Sequence, residues 1–383
     1  MPNTAYDVAI VGLGAMGSAT AYQLARRGRR VVAFDRFAPP HTMGSTHGQT
    51  RIIREAYFEH PLYVPLVRRA FDLWEELSRA SGRVLMKKTG GIMIGPDSGA
   101  LVSGARASAI EHRISYRMLS SAAIRNHFGV FEPMDDWVGV LETRAGVLFA
   151  ELCVQSFLEV ATRAGAAVHY NDPVVRWKAD GEGVVVHTAH GVYRAERLVL
   201  AAGPWMREMV NDLVLPLAVE RQMQHWFEPA SFAGLFESWR CPVTLWEYAP
   251  DKLFAVVPDF GHGIKVIIHH QGELTTAESV RRDISSEEDA RVLDLLRRFL
   301  PKAKGRQLAK SVCLYTNTPD SHFLIDLHPL HPQVIIASPC SGHGFKFASA
   351  IGEILADVAT DTAPRFDLAP FGLRRLTRSD AAD

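Results

Sequence analysis

Three features of the sequence predict an α/β fold. Residues 6–11 (YDVAIV) form an apolar, β-branched run, glycines follow at 12, 14 and 17, and a helical stretch over 18–27 leads to a second apolar run at 31–34. Strand, helix and strand then span about thirty residues, the length of a parallel βαβ unit. Buried-type runs return at 198–203 and 334–336, whereas residues 219–268 carry several short strands with no helix between them. The first pattern belongs to a parallel sheet covered by helices, the second to a mixed sheet.

The glycines have separate physical tasks. Gly12 permits a tight turn, Gly14 lets the backbone approach a pyrophosphate, and Gly17 allows close helix–strand packing. The helix that follows directs its N-terminal partial charge at the phosphates. Asp35 ends the second strand, where a carboxylate can accept hydrogen bonds from ribose hydroxyls. Strand, helix and acid agree on a Rossmann-like dinucleotide site, without separating NAD from FAD.

Beyond this unit, Pro39 and Pro40 open a loop through residue 48. Residues 63–81 place Val67, Phe71, Trp74 and Leu77 at helical spacing. From 90 to 147 the pattern is mixed and irregular. Residues 151–164 are helical, 167–170 a strand, and 184–187 with 191–193 a hairpin before the buried strand at 198–203. Strands at 223–227, 253–257 and 264–268 follow, the last two joined by a turn over 258–263 (PDFGHG). A helix over 285–300 starts with Ser-Ser-Glu-Glu, an N-capping pattern. Strands at 323–325 and 334–336 and a helix over 347–359 close the chain. The expected organisation is a nucleotide-binding domain from residues 1–88, 148–216 and 320–383, with residues 89–147 and 217–319 inserted as a strand-rich substrate domain.

Composition narrows the function. Lys plus Arg is 42 and Asp plus Glu is 42, so the basic excess of a nucleic-acid binder is missing. At 383 residues, with 47% apolar and 22% charged residues, the chain suits two globular domains. Four cysteines do not make a disulfide framework, which points to a reducing compartment. No apolar run reaches the roughly 18 residues of a membrane span, and no secretory leader is visible. A cytoplasmic protein without a metal site is the expectation.

Two further segments carry chemistry. In 44–54 (GSTHGQTRIIR), Arg51 and Arg54 stand three apart on what reads as the start of a helix or turn, where planar guanidinium forks suit a carboxylate or phosphate. Residues 341–347 (SGHGFKF) lie between a strand and the last helix, so Gly342 and Gly344 can offer backbone N–H groups to an anionic ligand. Lys346 sits there in apolar surroundings. Strand alternation puts Lys265, Ile267 and His269 on one face.

Together the glycine motif with Asp35, the PPHTxGSxHGxTRIIR segment, Cys313-x-Tyr315 with TPDxHFxID, and SGHGFKF resemble the monomeric sarcosine oxidase and N-methyltryptophan oxidase family of flavoproteins, from Tyr6 to about Leu376. The resemblance implies a glutathione-reductase-type FAD domain, with FAD covalently held by Cys313 and contacted by Ser45, His47, Thr50, Gly342 and Gly344. It implies that Arg54 and Lys346 bind a substrate carboxylate. It places Lys265 over the flavin for oxygen activation, His269 and His343 near substrate, Arg51 by the flavin ring and Tyr315 in the active site. Cys153, Cys241 and Cys340 read as structural. Ala255 falls where the family has an active-site tyrosine, and Ser338-Pro339-Cys340 replaces the family's approach to SGHGFKF. Both departures leave the substrate open among N-methyl and cyclic amino acids. The implied activity is oxidation of a secondary amino acid at its CH–NH bond by a monomeric enzyme, with oxygen as acceptor and release of formaldehyde and hydrogen peroxide. The alternatives are a dehydrogenase feeding another acceptor, an oxidase of cyclic imino acids, a flavoprotein subunit of a larger complex, and an NAD-linked enzyme.

Overall fold

The computed structural model describes residues 5–377. Its first strand, Ala5–Val11, lies inside an eight-stranded sheet and pairs in parallel with Val31–Phe34 on one side and Val192–Leu200 on the other. Consecutive residues of these strands enter different cores. Val8, Ile10, Ala33 and Val199 meet a layer containing the helices Ala15–Arg26, Tyr63–Ser81, Ala150–Arg163 and Ala348–Ala359. Ala9, Val11, Val32, Phe34 and Leu198 face the opposite layer with Met206, Val210 and Leu215. Burial on both faces explains the uninterrupted apolar runs.

The strand Val192–Leu200 corrects the sequence reading, which divides it in two. Its first part pairs antiparallel with Gly183–Thr188, and Leu198–Leu200 pairs in parallel with His331–Ser338. One strand thus serves an exposed hairpin and a buried core, and Arg194, Glu196 and Arg197 break the apolar pattern only where it is exposed. Val174–Asp180, unassigned from sequence, completes the hairpin edge.

A nine-stranded sheet contains Gly91–Pro96, Tyr116–Ser120 and Trp137–Glu142, joined through Val243–Ala249 to strands from beyond residue 217. Residues 90–147 are therefore regular, with helices Ala100–Glu111 and Ser121–Phe128 among the strands. Helix Ser286–Phe299 begins at a capping box between Ser285 and Glu288 and packs Val292, Leu296 and Phe299 against Phe254, Val256, Val266 and Ile268. Alternation sends Ala255, Lys265, Ile267 and His269 to the other face.

A small third sheet consists of Thr50–Ile53, Gly146–Phe149 and Met86–Lys88. Here Arg51 lies on a strand, not at a helix start, because β-branched Ile52 and Ile53 pair with Val147 and Gly146. Arg54 follows as the chain leaves the strand, and Glu142 captures the N–H groups of Glu55 and Ala56 at 2.8 and 2.5 Å. No helix among the described residues is long and apolar enough to cross a membrane.

Candidate active site

A long cavity opens where the parallel strands end. Gly12, Asp35, Ala201 and Pro339 each stand just past or near such an end and line it, the usual ligand position in open α/β sheets. From there the cavity runs to the uncovered face of the nine-stranded sheet, reaching Arg51, Arg54, Ala255, Lys265, His269 and Tyr315.

At the strand-end side, geometry follows from glycine. Gly12 has φ +90°, and a Cβ there would lie 2.5 Å from the Ala201 carbonyl oxygen. At Gly17 a Cβ would come within 1.8 Å of the Gly12 carbonyl oxygen, so only hydrogen lets helix and turn meet. Gly14 differs, since a Cβ there would meet only Thr46 Oγ1 at 3.7 Å. Its missing side chain leaves the helix N-terminus open to the cavity. Asp35 accepts the Leu13 N–H at 2.7 Å and the Phe37 N–H at 2.9 Å, so the acid also braces the glycine turn. Buried Ser45 Oγ, Gln224 Oε1 and Ser338 Oγ have no partner within the protein, and all three residues line the cavity. Unsatisfied buried polar atoms beside an open glycine cradle fit a large polar cofactor such as FAD.

On the sheet side, cross-strand register builds the wall. Leu245 pairs with Ala255, Ala255 with Ile267, and Ile267 with Gln224, forming one row through four strands. Cys313 and Tyr315, two apart on Gln307–Asn317, share a face. Lys265 is 1% exposed and donates to the carbonyls of Gly48 and Thr50 at 2.6 and 3.0 Å. Burial and the Arg51 charge push its pKa well below that of an ordinary lysine, while the two carbonyl acceptors favour its charged form. His269 Nδ1 lies 3.1 Å from Tyr315 Oη, and burial drives His269 strongly toward the neutral form.

The cations that close the far end are already partnered. Arg54 directs Nη2 at both Glu59 oxygens, 2.6 and 2.5 Å away, and its guanidinium stacks over Tyr57 and Phe58. Burial alone would raise the Glu59 pKa, but Arg54, His343 and Lys346 more than reverse this. Lys346 donates to the His343 carbonyl at 2.7 Å and to Tyr57 Oη at 3.3 Å. Burial and Arg54 bring its pKa down to about 7. His343 Nε2 donates to the Ser321 carbonyl at 3.0 Å, so Nδ1 accepts from Tyr57 Oη at 2.7 Å. Burial holds this ring neutral, with its pKa near 4.

Most residues singled out from sequence border this one cavity, including Gly342, Gly344, His343, Ser45 and Cys313. Gly17, His47 and Thr50 stand behind its wall. His47 is buried, and desolvation together with Arg51 and Lys265 lowers its pKa to about 3. Cys340 is a correction: it lines the cavity, and its Sγ accepts the Thr316 N–H at 3.4 Å. Sequence reasoning also missed Tyr57, Phe58, Glu59, Leu245 and Gln224. Only proximity of Glu59 to Arg54 in the chain hinted at any of them.

Residues 7–358 match the family model described as FAD dependent oxidoreductase. The chain is 38% identical over 380 residues to the monomeric sarcosine oxidase of Streptomyces avermitilis, covering 98% of this chain and 99% of that one. It is 35% identical over 375 residues to the N-methyl-L-tryptophan oxidase of Citrobacter koseri, covering 97% and 100%. Among solved structures, NikD, an unusual amino acid oxidase of nikkomycin biosynthesis, superposes with a TM-score of 0.83 at 24% identity, covering 96% and 97%. Glycine oxidase from Geobacillus kaustophilus does so with 0.81 at 20%, covering 96% and 98%. These two establish likeness of fold.

Proposed function

We propose that this chain, which belongs to the FAD-dependent oxidoreductase family, is an oxidase of secondary amino acids that uses oxygen as acceptor and works as a monomer. The observation that carries the reading is the buried Arg54, gripping the carboxylate of Glu59 beside Lys346. A guanidinium and an ammonium facing one cavity make a carboxylate site, which an internal acid fills until a substrate displaces it.

Gly12, Gly14, Gly17 and Asp35 would hold the dinucleotide part of FAD, with Ser45, Gly342 and Gly344 along its length and His47 and Thr50 supporting the wall. Bound FAD supplies the acceptor for a hydride equivalent from the carbon beside the amine nitrogen and returns the electrons to oxygen. The protein supplies orientation. Arg54 and Lys346 fix the substrate carboxylate, His269 and Tyr315 face the amine, and His343 with Tyr57 braces Lys346. Arg51 and Lys265 place positive charge where negative charge develops, inside a water-poor site. The row Leu245, Ala255 and Ile267 offers an apolar wall without a hydroxyl, which suits a side chain larger than that of sarcosine. The division into an FAD domain and a substrate domain, and covalent attachment through Cys313, belong to the same reading. Acid denaturation tests the attachment: colour in the supernatant overturns it.

The decisive experiment is a peroxide-coupled screen under air, spanning sarcosine, bulky N-methyl amino acids and cyclic imino acids. Peroxide formation with best efficiency on a bulky secondary amino acid supports the full reading. Sarcosine as the best substrate refutes the enlarged pocket, and no peroxide with any amine refutes the oxidase.

A further inference from the structure

Behind the substrate end lies a second histidine. His270 directly follows the strand Ile264–His269 and has φ +52°. Along a regular strand the two rings would point to opposite faces. The left-handed residue turns the chain back, and the imidazoles meet edge to face with centroids 4.1 Å apart. Tyr315 joins them, 5.5 Å from His269 and 5.3 Å from His270. Gly342 closes the group, since a Cβ there would lie 2.8 Å from His270 Nε2 and 2.9 Å from His269 Cε1.

Glu220, opposite Tyr315 in the neighbouring strand, reaches His270 from behind. One of its oxygens accepts from Gln222 Nε2 at 2.6 Å and the Gly272 N–H at 2.9 Å. The other accepts from Asn317 Nδ2 at 2.7 Å and from His270 Nδ1 at 3.2 Å. Burial opposes ionisation, yet these hydrogen bonds outweigh it and hold the carboxyl below its ordinary pKa. An ionised carboxylate only accepts, so His270 carries a proton on Nδ1.

Two touching imidazoles resist double protonation, because a charge on one ring opposes a second charge on the other. Burial is the largest influence holding His269 neutral, and the groups facing it push the same way: His270 beside it in the chain, Arg54 beside the third sheet, and His343 and Lys346 from the C-terminal segment. Tyr315 is the uncharged neighbour at Nδ1. His270 is 33% exposed at its side chain and can exchange protons with water.

We propose that Glu220 and His270 form a positioning pair that adds to burial in keeping His269 a neutral imidazole, one that can accept a hydrogen bond from the substrate amine. The identity of the amine rests on the function proposed above; the placement of the proton does not. A cationic His269 would repel an incoming ammonium group, whereas a neutral one receives its N–H.

The test is 15N NMR of the full-length holoenzyme labelled at histidine, with His269 assigned by its loss in His269→Asn. In the unmodified enzyme, His269 is expected to stay neutral and His270 to show the Nδ1 proton that its bond to Glu220 requires. In His270→Asn, chosen because asparagine tolerates positive φ, the His269 midpoint should rise by about 1 unit or more. The acid limb of kcat/KM should move with it. Glu220→Gln, which keeps the shape of the side chain, should change the Nδ1 signal of His270, because an amide replaces the carboxylate acceptor. An unchanged His269 midpoint in His270→Asn, or an unchanged His270 Nδ1 signal in Glu220→Gln, overturns the pair. The resonances need no turnover, so a failed substrate screen alongside the expected shifts refutes the oxidase and leaves the pair standing.

Discussion

The two ends of the cavity are built differently. The strand-end half uses backbone: glycines at 12, 14 and 17, a helix N-terminus and one acid, all within thirty residues. The sheet half uses side chains from the third sheet, the nine-stranded sheet and the C-terminal segment, brought together by register. Local steric rules constrain the first half, and long-range packing constrains the second. Damage should therefore be abrupt at one end and graded at the other.

The largest effect should separate two glycines. Gly17→Ala forces a Cβ to 1.8 Å from a backbone oxygen, an overpacking cost of about 3 kcal/mol or more. It should lower Tm and abolish FAD binding together. Gly14→Ala meets no close atom in the protein and should lose FAD while the apoprotein Tm stays unchanged. Calorimetry and flavin absorbance read both, and equal loss of Tm in the two variants would break the contrast.

At the sheet end, Lys265→Met should slow reoxidation of reduced flavin by air by orders of magnitude, because it removes the buried amine whose N–H groups stabilise developing negative charge. Anaerobic reduction by substrate should change much less. Stopped-flow traces that slow equally in both half-reactions would sink the assignment. Arg54→Ala forfeits a charge-assisted contact of roughly 1.5–3 kcal/mol, so acetate affinity should fall tenfold or more in an absorbance titration.

The smallest effect is one of pH. With its pKa near 7, Lys346 is charged below that value and neutral above it. Acetate binding should weaken as pH rises through about 7, and Lys346→Met should flatten that step. A step that persists in the variant would belong to another group.

Much of the strand-end half was legible because its signal is contiguous. Strand, glycines, helix and acid follow one another, and the helix predicted over 63–81 has the same bounds in the structure. Misreadings cluster where one element serves two environments. The strand Val192–Leu200 changes from hairpin to core, and residues 90–147 alternate short strands with short helices, so no window holds a single period. On the sheet side, motif resemblance pointed to Arg54, Lys265 and Lys346 but not to their partners.

By itself, then, the sequence determined the βαβ cofactor cradle, the alternation that puts Lys265 and His269 on one face, and the family likeness carried by the flanking motifs. Tertiary structure alone decided that Tyr57 links Lys346 to His343 and that Glu220 meets His270. The reason is physical: a backbone cradle follows from steric rules among near neighbours. A hydrogen-bonded pair between residues 50 positions apart exists only once sheet register and a left-handed turn have brought the two groups within bonding distance.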